Sequence, residues 1–326
     1  MRRRSLLALP LLAAPAIARA QDNWPNRPIT LIGGFPNSSG VGIYQRRLAE
    51  PLSQALGVNI VVDNRTGAGG NIGSDYVAKA RPDGYTFYFG TAGTHAINAA
   101  LYSNLPFDVV RDFTPIAHLG DVPNMLLVSP EHRPQYTDCQ ALMAAARANP
   151  GGLNFSSTGN GASTHLAGAV FLQRSGLDIL HVPYRGQPGA ALALLSGDVD
   201  VFFNQSGPGI AMVRGGQARA LGVFTRERLP SLPDVPTASE ACGIPDLVIS
   251  TWYGLFGPAN LPEPIVRRMS EEVTKILQEP EFQAWLVENQ GITPPTVFTP
   301  AEFAEVQRRD IEYWAEVVRV SGARLD

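Results

Sequence analysis

Short apolar segments alternate with amphipathic segments along most of this 326-residue chain. Residues 28–34 (PITLIGG), 59–63 (NIVVD) and 86–90 (TFYFG) are each typical of a buried strand. The segments between them, 40–56 and 71–80, carry apolar side chains at helical spacing. Strands separated by helices predict βαβ units and a parallel sheet. The sequence therefore predicts an α/β fold built from Rossmann-like units.

The same alternation continues through the second part of the chain. Strands are predicted at 124–129, 153–156, 179–182, 199–204 and 218–224, with helices at 137–148, 164–176 and 187–196. Further helices are predicted at 265–277, 281–288 and 301–321. The length favours two domains at roughly 150 residues each. No internal repeat of 20–50 residues is visible, so a solenoid is excluded.

The first twenty residues (MRRRSLLALPLLAAPAIARA) have the pattern of a secretory signal peptide. Three arginines precede an apolar run, and Ala18-Arg19-Ala20 forms a cleavage site. The pair Arg3-Arg4 also fits a twin-arginine signal, so the export route stays open between that pathway and Sec. The apolar run is shorter than the about 20 residues that a membrane span needs. We therefore expect an exported chain with no stable membrane insertion.

The net charge of the chain limits the kinds of partner that it can bind, and its two cysteines raise the question of a disulfide bond. Residues 1–20 contain four arginines and no acid, so their removal changes the net charge from −3 to −7. An acidic protein is a poor partner for nucleic acid or for an anionic membrane surface. An anionic small molecule remains compatible, because local backbone dipoles can outweigh net charge. An exported chain can form a disulfide between Cys139 and Cys242, but two cysteines so far apart give no disulfide framework, and the sequence favours two buried thiols.

Turns rich in Gly, Ser and Thr follow several of the predicted strands. They are residues 35–40 (FPNSSG), 90–95 (GTAGTH) and 156–165 (SSTGNGASTH). In an open α/β sheet, ligands bind at the carboxyl ends of strands, where backbone N–H groups and helix N-termini favour an anion. The candidate ligand-binding residues are Ser38, Ser39, Gly40, Thr91, Ala92, Thr94, Ser157, Thr158, Gly159, Asn160, Thr164, His165, Tyr184, Arg185 and Asn204. Among them, His165 can orient its turn or contact ligand, and Arg185 can pair with a carboxylate or bridge two lobes.

The sequence gives little support to the hypothesis of an enzyme or of a metal site. The five histidines are not spaced as in HExxH, and the chain has no CxxC pair and no GxSxG nucleophile elbow. Residues 67–72 (GAGGNI) imitate a dinucleotide-binding loop, but Ile72 replaces its third glycine and no Walker lysine is present. We expect no catalytic residue, metal or cofactor. A secreted hydrolase or transferase on the same fold remains the alternative, and it would need a positioned nucleophile and base.

At these segments the sequence resembles the solute receptors of tripartite tricarboxylate transporters, the Bug family, over essentially the whole mature chain. The stretches that carry the resemblance are WPNRPITLI, VVDNRTGAGGNIGSDYVAKARPDGYT, GTAGTHAIN, LPFDVVRDFTPIAHLG, LNFSSTGNGASTHLAG, HVPYRG, SGDVDVFF, GGQARALGV, LPDVPTASEACG and WYGLFGPANLPEPIV. The closing residues, from Thr299, also look like the end of a family member.

The resemblance implies a periplasmic-binding-protein (Venus-flytrap) fold, with two α/β lobes and a central cleft. Lobe 1 would be residues 21–124 plus 249–326, and lobe 2 would be residues 125–248, joined by crossing strands. It implies a monomeric periplasmic protein that binds a small carboxylated compound, partly through water, and delivers it to transporter membrane subunits. A receptor that serves a signalling system is an alternative that the sequence does not separate from this one.

One turn departs from the family pattern. Family members commonly have FPPGG here, followed three residues later by Asp. This chain has Ser38 and Ser39 in place of the two glycines, and Gly42 stands where the Asp is usual. Losing that carboxylate removes an acceptor for an amino group, so the sequence disfavours an amino-acid ligand.

Overall fold

The computed structural model describes residues 24–325, so the signal peptide predicted at residues 1–20 lies outside the described part. The strands are β1 (Ile29–Gly33), β2 (Ile60–Asn64), β3 (Thr86–Thr91), β4 (Phe113–Val128), β5 (Asn154–Ser157), β6 (Leu180–Pro183), β7 (Val201–Gln205), β8 (Arg219–Val223) and β9 (Ser250–Pro258). The helices are α1 (Gly40–Leu56), α2 (Asn71–Ala78), α3 (Asn98–Leu101), α4 (Cys139–Ala148), α5 (Ser163–Ser175), α6 (Gln187–Ser196), α7 (Ser206–Arg214), α8 (Ala238–Cys242), α9 (Glu263–Gln278), α10 (Pro280–Trp285) and α11 (Pro300–Ser321).

Local capping explains where several helices begin. The side chains of Ser39 and Asp138 accept hydrogen bonds from backbone N–H groups in the first turns of α1 and α4. Thr237 and Thr299 form capping boxes with Glu240 and Glu302 at α8 and α11. No helix within residues 24–325 is long and apolar enough to cross a membrane.

The strands form one mixed sheet in the order β2-β1-β3-β9-β4-β7-β5-β6, with β8 also paired to β4. Strand β1 pairs in parallel with β2 and β3, and β5 pairs in parallel with β6 and β7. The parallel pairing predicted for the βαβ units is therefore present in both halves, whereas β4 and β9 run antiparallel to every neighbour. Strand β9 was not predicted from the sequence, and it carries the chain back from the second part to the first.

The long strand β4 links two halves of the structure. Its first part, Phe113–Pro123, pairs with β9, and its last part, Asn124–Val128, pairs with β7 and β8. The first half comprises β1, β2, β3 and β9 with their helices, and the second half comprises β5 to β8. One cluster of buried apolar side chains packs against β1 and β3 in the first half, and a separate cluster packs against β7 in the second half. A third cluster runs from Ile32 in the first half to Phe203 in the second.

A disulfide bond joins Cys139 to Cys242, although the sequence favoured two buried thiols. Cys139 is the first residue of α4 and Cys242 is the last residue of α8, and both are buried. The Cα atoms lie 5.3 Å apart across a sequence separation of 103 residues. The bond therefore ties the start of the second half to its end.

We expect removal of this bond to destabilise the protein. Replacing both cysteines by alanine should lower the free energy of unfolding by about 2–4 kcal/mol, because the unfolded chain gains the freedom of a long loop. Urea unfolding of the double variant and of the reduced wild type measures this effect. Both should give the same loss, and a double variant as stable as the oxidised wild type would contradict the assignment.

Candidate functional site

A cavity of about 610 Å³ lies between the two halves, and we call it the front cavity. The first half contributes the turn after β1, the end of β3 and two side chains of β9, Thr251 and Tyr253. The second half contributes the turn after β5 and the start of α6, together with Gln205 at the end of β7. Most of these contributions come from the carboxyl ends of parallel strands, where open α/β sheets bind ligands.

More than half of the residues predicted from the sequence line the front cavity. They are Ser38, Ser39, Gly40, Thr91, Thr158, Gly159, Asn160 and Arg185. Sequence reasoning missed an aromatic and apolar group that lines the same space: Phe35, Val41, Leu101, Tyr102, Tyr253 and Leu325. The run TWYGLF in β9 was the available signal for Tyr253. Leu101, Tyr102 and Leu325 had none, because they lie outside the predicted turns.

Helices of ten or more residues begin at the front cavity in both halves. Gly40 opens α1, Ser163 opens α5 and Gln187 opens α6, and all three residues line the cavity. No side chain caps the N-termini of α5 and α6. The first N–H groups of a helix have no partner within the helix, and the helix dipole adds partial positive charge there. The convergence of three N-termini therefore favours an anion.

The turn between β1 and α1 is held tightly against the helix. The Ser39 hydroxyl donates to Pro36 O at 2.6 Å and accepts from Gly42 N at 3.1 Å, so its hydrogen-bonding capacity is largely used inside the turn. A Cβ atom at Gly42 would lie 2.4 Å from Pro36 O. This turn conformation therefore excludes any side chain at position 42, including the Asp that is usual there in similar sequences.

Threonine pairs order the turns after β3 and β5. Thr94 Oγ1 accepts from Thr91 N at 3.0 Å, and Thr91 Oγ1 accepts from Thr94 N at 3.2 Å. In the second half, Thr164 Oγ1 accepts from Thr158 N at 2.9 Å and lies 2.9 Å from Thr158 Oγ1. In each pair the first threonine lines the front cavity and the second is buried behind it. Thr94 and Thr164 thus position a neighbour and do not line the cavity themselves.

Replacing Thr164 by valine is expected to weaken carboxylate binding about tenfold. The substitution leaves Thr158 N–H without its acceptor, and loss of a buried partner costs about 1–3 kcal/mol. Thr164→Ser keeps the oxygen and should bind nearly as the wild type does. Calorimetric titration and thermal unfolding of both variants measure the effect. Equal affinity in wild type and Thr164→Val would show that this pair has no positioning role.

Two stacked imidazoles lie beneath the turn after β5. The rings of His165 and His181 are 3.7 Å apart between centroids and nearly parallel. His165 Nδ1 accepts from Gly161 N at 3.0 Å, and His181 Nε2 lies 2.6 Å from the Ser157 hydroxyl. Burial lowers the pKa of both imidazoles to about 4, and for His165 the neighbouring ring adds to this. His165 and Ser157 therefore support the turn from below.

The remaining predicted residues lie outside the lining for ordinary packing reasons. Ala92 is fully buried behind Thr91. Tyr184 packs against the first turn of α6, within 3.6 Å of where a Cβ of Gly189 would stand. Asn204 is buried in β7, where its Nδ2 contacts Met212 Sδ at 3.8 Å, and the next residue along the strand, Gln205, faces the cavity instead. Side chains alternate between the two faces of a strand, so one position changes the outcome.

The charge of the front cavity favours an anion. Among the described residues that line it, Arg185 is the one cationic side chain, and none is Asp or Glu. Arg185 is exposed at the rim, just before α6. Its planar guanidinium can donate two parallel hydrogen bonds to a carboxylate. Phe35, Leu101 and Tyr253 supply apolar surface for the rest of a ligand.

A second cavity of about 570 Å³ lies on the other face of β9, and we call it the rear cavity. Thr251 and Tyr253 line the front cavity, whereas Ser250 and Trp252 line the rear one, as strand alternation requires. Asp310 lines the rear cavity and accepts a hydrogen bond from Trp252 Nε1 at 2.7 Å. Burial raises the pKa of the Asp310 carboxyl. The rear cavity has none of the Gly/Ser/Thr-rich turns, so the front cavity is the candidate site.

Fold and site together define a solute-binding protein of the periplasmic-binding-protein fold. The structure of R. palustris Rpa4515 with adipate superposes with a TM-score of 0.85 at 31% identity, covering 93% of this chain and 100% of that one. MatC (Rpa3494) from Rhodopseudomonas palustris with bound malate superposes with a TM-score of 0.79 at 30% identity, covering 90% and 100%.

Sequence comparison specifies the family. Residues 44–303 match the model of the tripartite tricarboxylate transporter family receptor. The chain is 34% identical to protein BugT of Bordetella pertussis over 316 residues, which cover 96% of this chain and 94% of BugT. The chain therefore belongs to the tripartite tricarboxylate transporter receptor family, and the resemblance inferred from its motifs is confirmed. The family model describes transporter receptors, and two of the similar structures hold a carboxylate, adipate in one and malate in the other.

Proposed function

We propose that this protein holds one small carboxylate in the front cavity and delivers it to the membrane subunits of a tripartite transporter. The observation that carries this proposal is the convergence of three helix N-termini and Arg185 on a cavity whose described lining contains no acidic side chain. Each exposed N-terminus favours an anion by about 0.3–1 kcal/mol, and more when it is partly buried. A carboxylate at this point would accept from backbone N–H groups, the Thr91 and Thr158 hydroxyls and Arg185.

The lining also favours one kind of acid over another. An amino acid carries an ammonium group that needs an acceptor, and no Asp or Glu lines the described cavity. Apolar side chains form much of the remaining wall, so a hydrocarbon or aromatic part of the ligand would be buried against them. We therefore propose an organic acid with an apolar body. The adipate and malate found in the two similar structures belong to those proteins.

Ligand capture would proceed by closure of two lobes, residues 21–124 plus 249–326 and residues 125–248. Strands β4 and β9 cross between them, and this supports a hinge at Pro123 and Ser250. The protein would act in the periplasm as a monomer after removal of a signal peptide, and it would release its ligand unchanged. Absence of turnover follows from the proposed role, because the ligand must reach the transporter intact.

A thermal-shift screen of the mature chain against organic acids tests the proposal. A ligand at 100 times its Kd stabilises the folded state by about 2.7 kcal/mol, a shift of several degrees in Tm. We expect at least one acid with an apolar body to give such a shift, and the matching amine and alcohol to give none. Stabilisation by amines or neutral compounds alone would overturn the proposal.

A further inference from the structure

The last residues of the described chain turn back toward the front cavity. Helix α11 ends at Ser321, and Gly322 adopts a positive φ of 68°, which redirects the backbone. Leu325 N then donates to Leu101 O at 2.9 Å, and Ser103 N donates to Leu325 O at 3.2 Å. These two hydrogen bonds make a short parallel bridge beside Tyr102. The position of Leu325 is thus fixed by its backbone and does not depend on side-chain packing alone.

Leu325 lines the front cavity next to Leu101 and Tyr102. These three residues come from two distant parts of the chain and form one apolar wall, which we call the tail wall. None of the three carries a charge, so the wall offers no ion pair to a second carboxylate. A ligand that is held by its carboxylate at the helix N-termini would press its hydrocarbon part against this surface.

The tail wall also contacts the Gly/Ser/Thr-rich turn after β5 (residues 156–165), which we call the ligand turn. Asn160 Nδ2 donates to Arg324 O at 3.4 Å. A Cβ atom at Gly161 would lie 2.3 Å from Leu101 Cδ2, so the turn and the wall are in direct contact. Residues 324–325 therefore border the front cavity and contact both halves of the structure.

We propose that Leu325 is a specificity-determining residue that sets how long or bulky an acid the front cavity accepts. This inference rests on the proposed function and deepens it. A side chain that closes one end of a cavity leaves a gap behind a short acid and collides with a long one. Each methylene group that gains or loses contact changes affinity by about fourfold.

The test measures Kd for straight-chain monocarboxylates from acetate to octanoate and for adipate, by calorimetry, in the wild type and in variants. Leu325→Ala should move the best-bound chain length upward by one or two carbons and weaken the acid that fits the wild type by about three- to tenfold. Leu325→Trp should reject the longest acids. Leu192→Ala is the matched control, because Leu192 is exposed on α6 and does not line the front cavity.

The outcomes separate this inference from the proposed function. If no acid binds the wild type, the proposed function fails and this inference fails with it. If the wild type binds acids and every variant keeps the same order of chain lengths, only the role of Leu325 is overturned. Leu325→Met changes shape with little change in volume, so it keeps the test valid if Leu325→Ala does not fold.

Discussion

Replacing Arg185 by methionine is expected to raise the Kd for a carboxylate that stabilises the wild type by about 10- to 100-fold. A hydrogen bond to a charged group contributes about 1.5–3 kcal/mol, and Arg185 is the one cation among the described residues that line the front cavity. Methionine keeps much of the side-chain volume and removes the charge. Titration calorimetry at fixed ionic strength measures the change.

Two further variants make this result specific. Arg185→Lys keeps a positive charge without the planar fork and should retain part of the affinity. Arg147→Met removes an exposed arginine of α4 that does not line the cavity, and it should bind as the wild type does. A Kd for Arg185→Met within twofold of wild type would show that Arg185 serves another purpose, such as contact between the two halves.

Lowering the pH from 7 to 4.5 is expected to destabilise the folded protein through His165 and His181. Burial depresses the pKa of each imidazole to about 4 in the folded state, against about 6.5 in an unfolded chain. Between these values the unfolded state binds more protons, so this contribution to stability is complete above pH 6.5 and is lost as the pH falls toward 4. We expect a loss of about 1–3 kcal/mol for the pair, reduced by solvent at the partly exposed His181.

The same protonation should loosen the ligand turn. A proton on His165 Nδ1 removes the acceptor of Gly161 N–H, and the neighbouring Asn160 lines the front cavity. The small cavity beside the two rings has no charged residue among its described lining to hold an imidazolium. Carboxylate binding should therefore weaken over the same pH range.

The double variant His165→Gln, His181→Gln provides the control. Glutamine can accept or donate a hydrogen bond without titrating, so this part of the pH dependence should disappear. His95 remains in both proteins, and burial lowers its pKa to about 3, so its contribution cancels in the comparison. Urea unfolding at several pH values measures the difference. Identical pH profiles for the two proteins would refute the role of the stacked pair.

The alternating strands and helices could be predicted because each depends on a local pattern of apolar residues. The strand and helix bounds predicted for β1, α1, β3 and α6 agree with the structure to within one residue at each end. The crossing strand β9 was not predicted, because periodicity alone does not separate a continuous apolar run in a strand from one in a buried helix. Its antiparallel pairing with β4 depends on where the chain returns, which local sequence does not specify.

The residues of the candidate site likewise fall into those that local sequence predicted and those that depend on the fold. Turn residues such as Ser38, Thr91 and Thr158 were predicted because glycine, serine and threonine mark strand ends, and they line the front cavity. Thr94 and Thr164 belong to the same turns, but their side chains are buried and hold the turns in place. Which threonine of each pair faces the cavity depends on three-dimensional packing. The tail wall was invisible in the sequence, since Leu101 and Leu325 meet only after folding.

A crystal structure of the mature protein with the acid that stabilises it most tests the central claim most directly. The account predicts one carboxylate in the front cavity, within hydrogen-bonding distance of backbone N–H groups at the starts of α1, α5 or α6 and of the Arg185 guanidinium. The hydrocarbon part should contact Leu325. An acid bound in the rear cavity beside Asp310, with the front cavity occupied by water, would contradict the account.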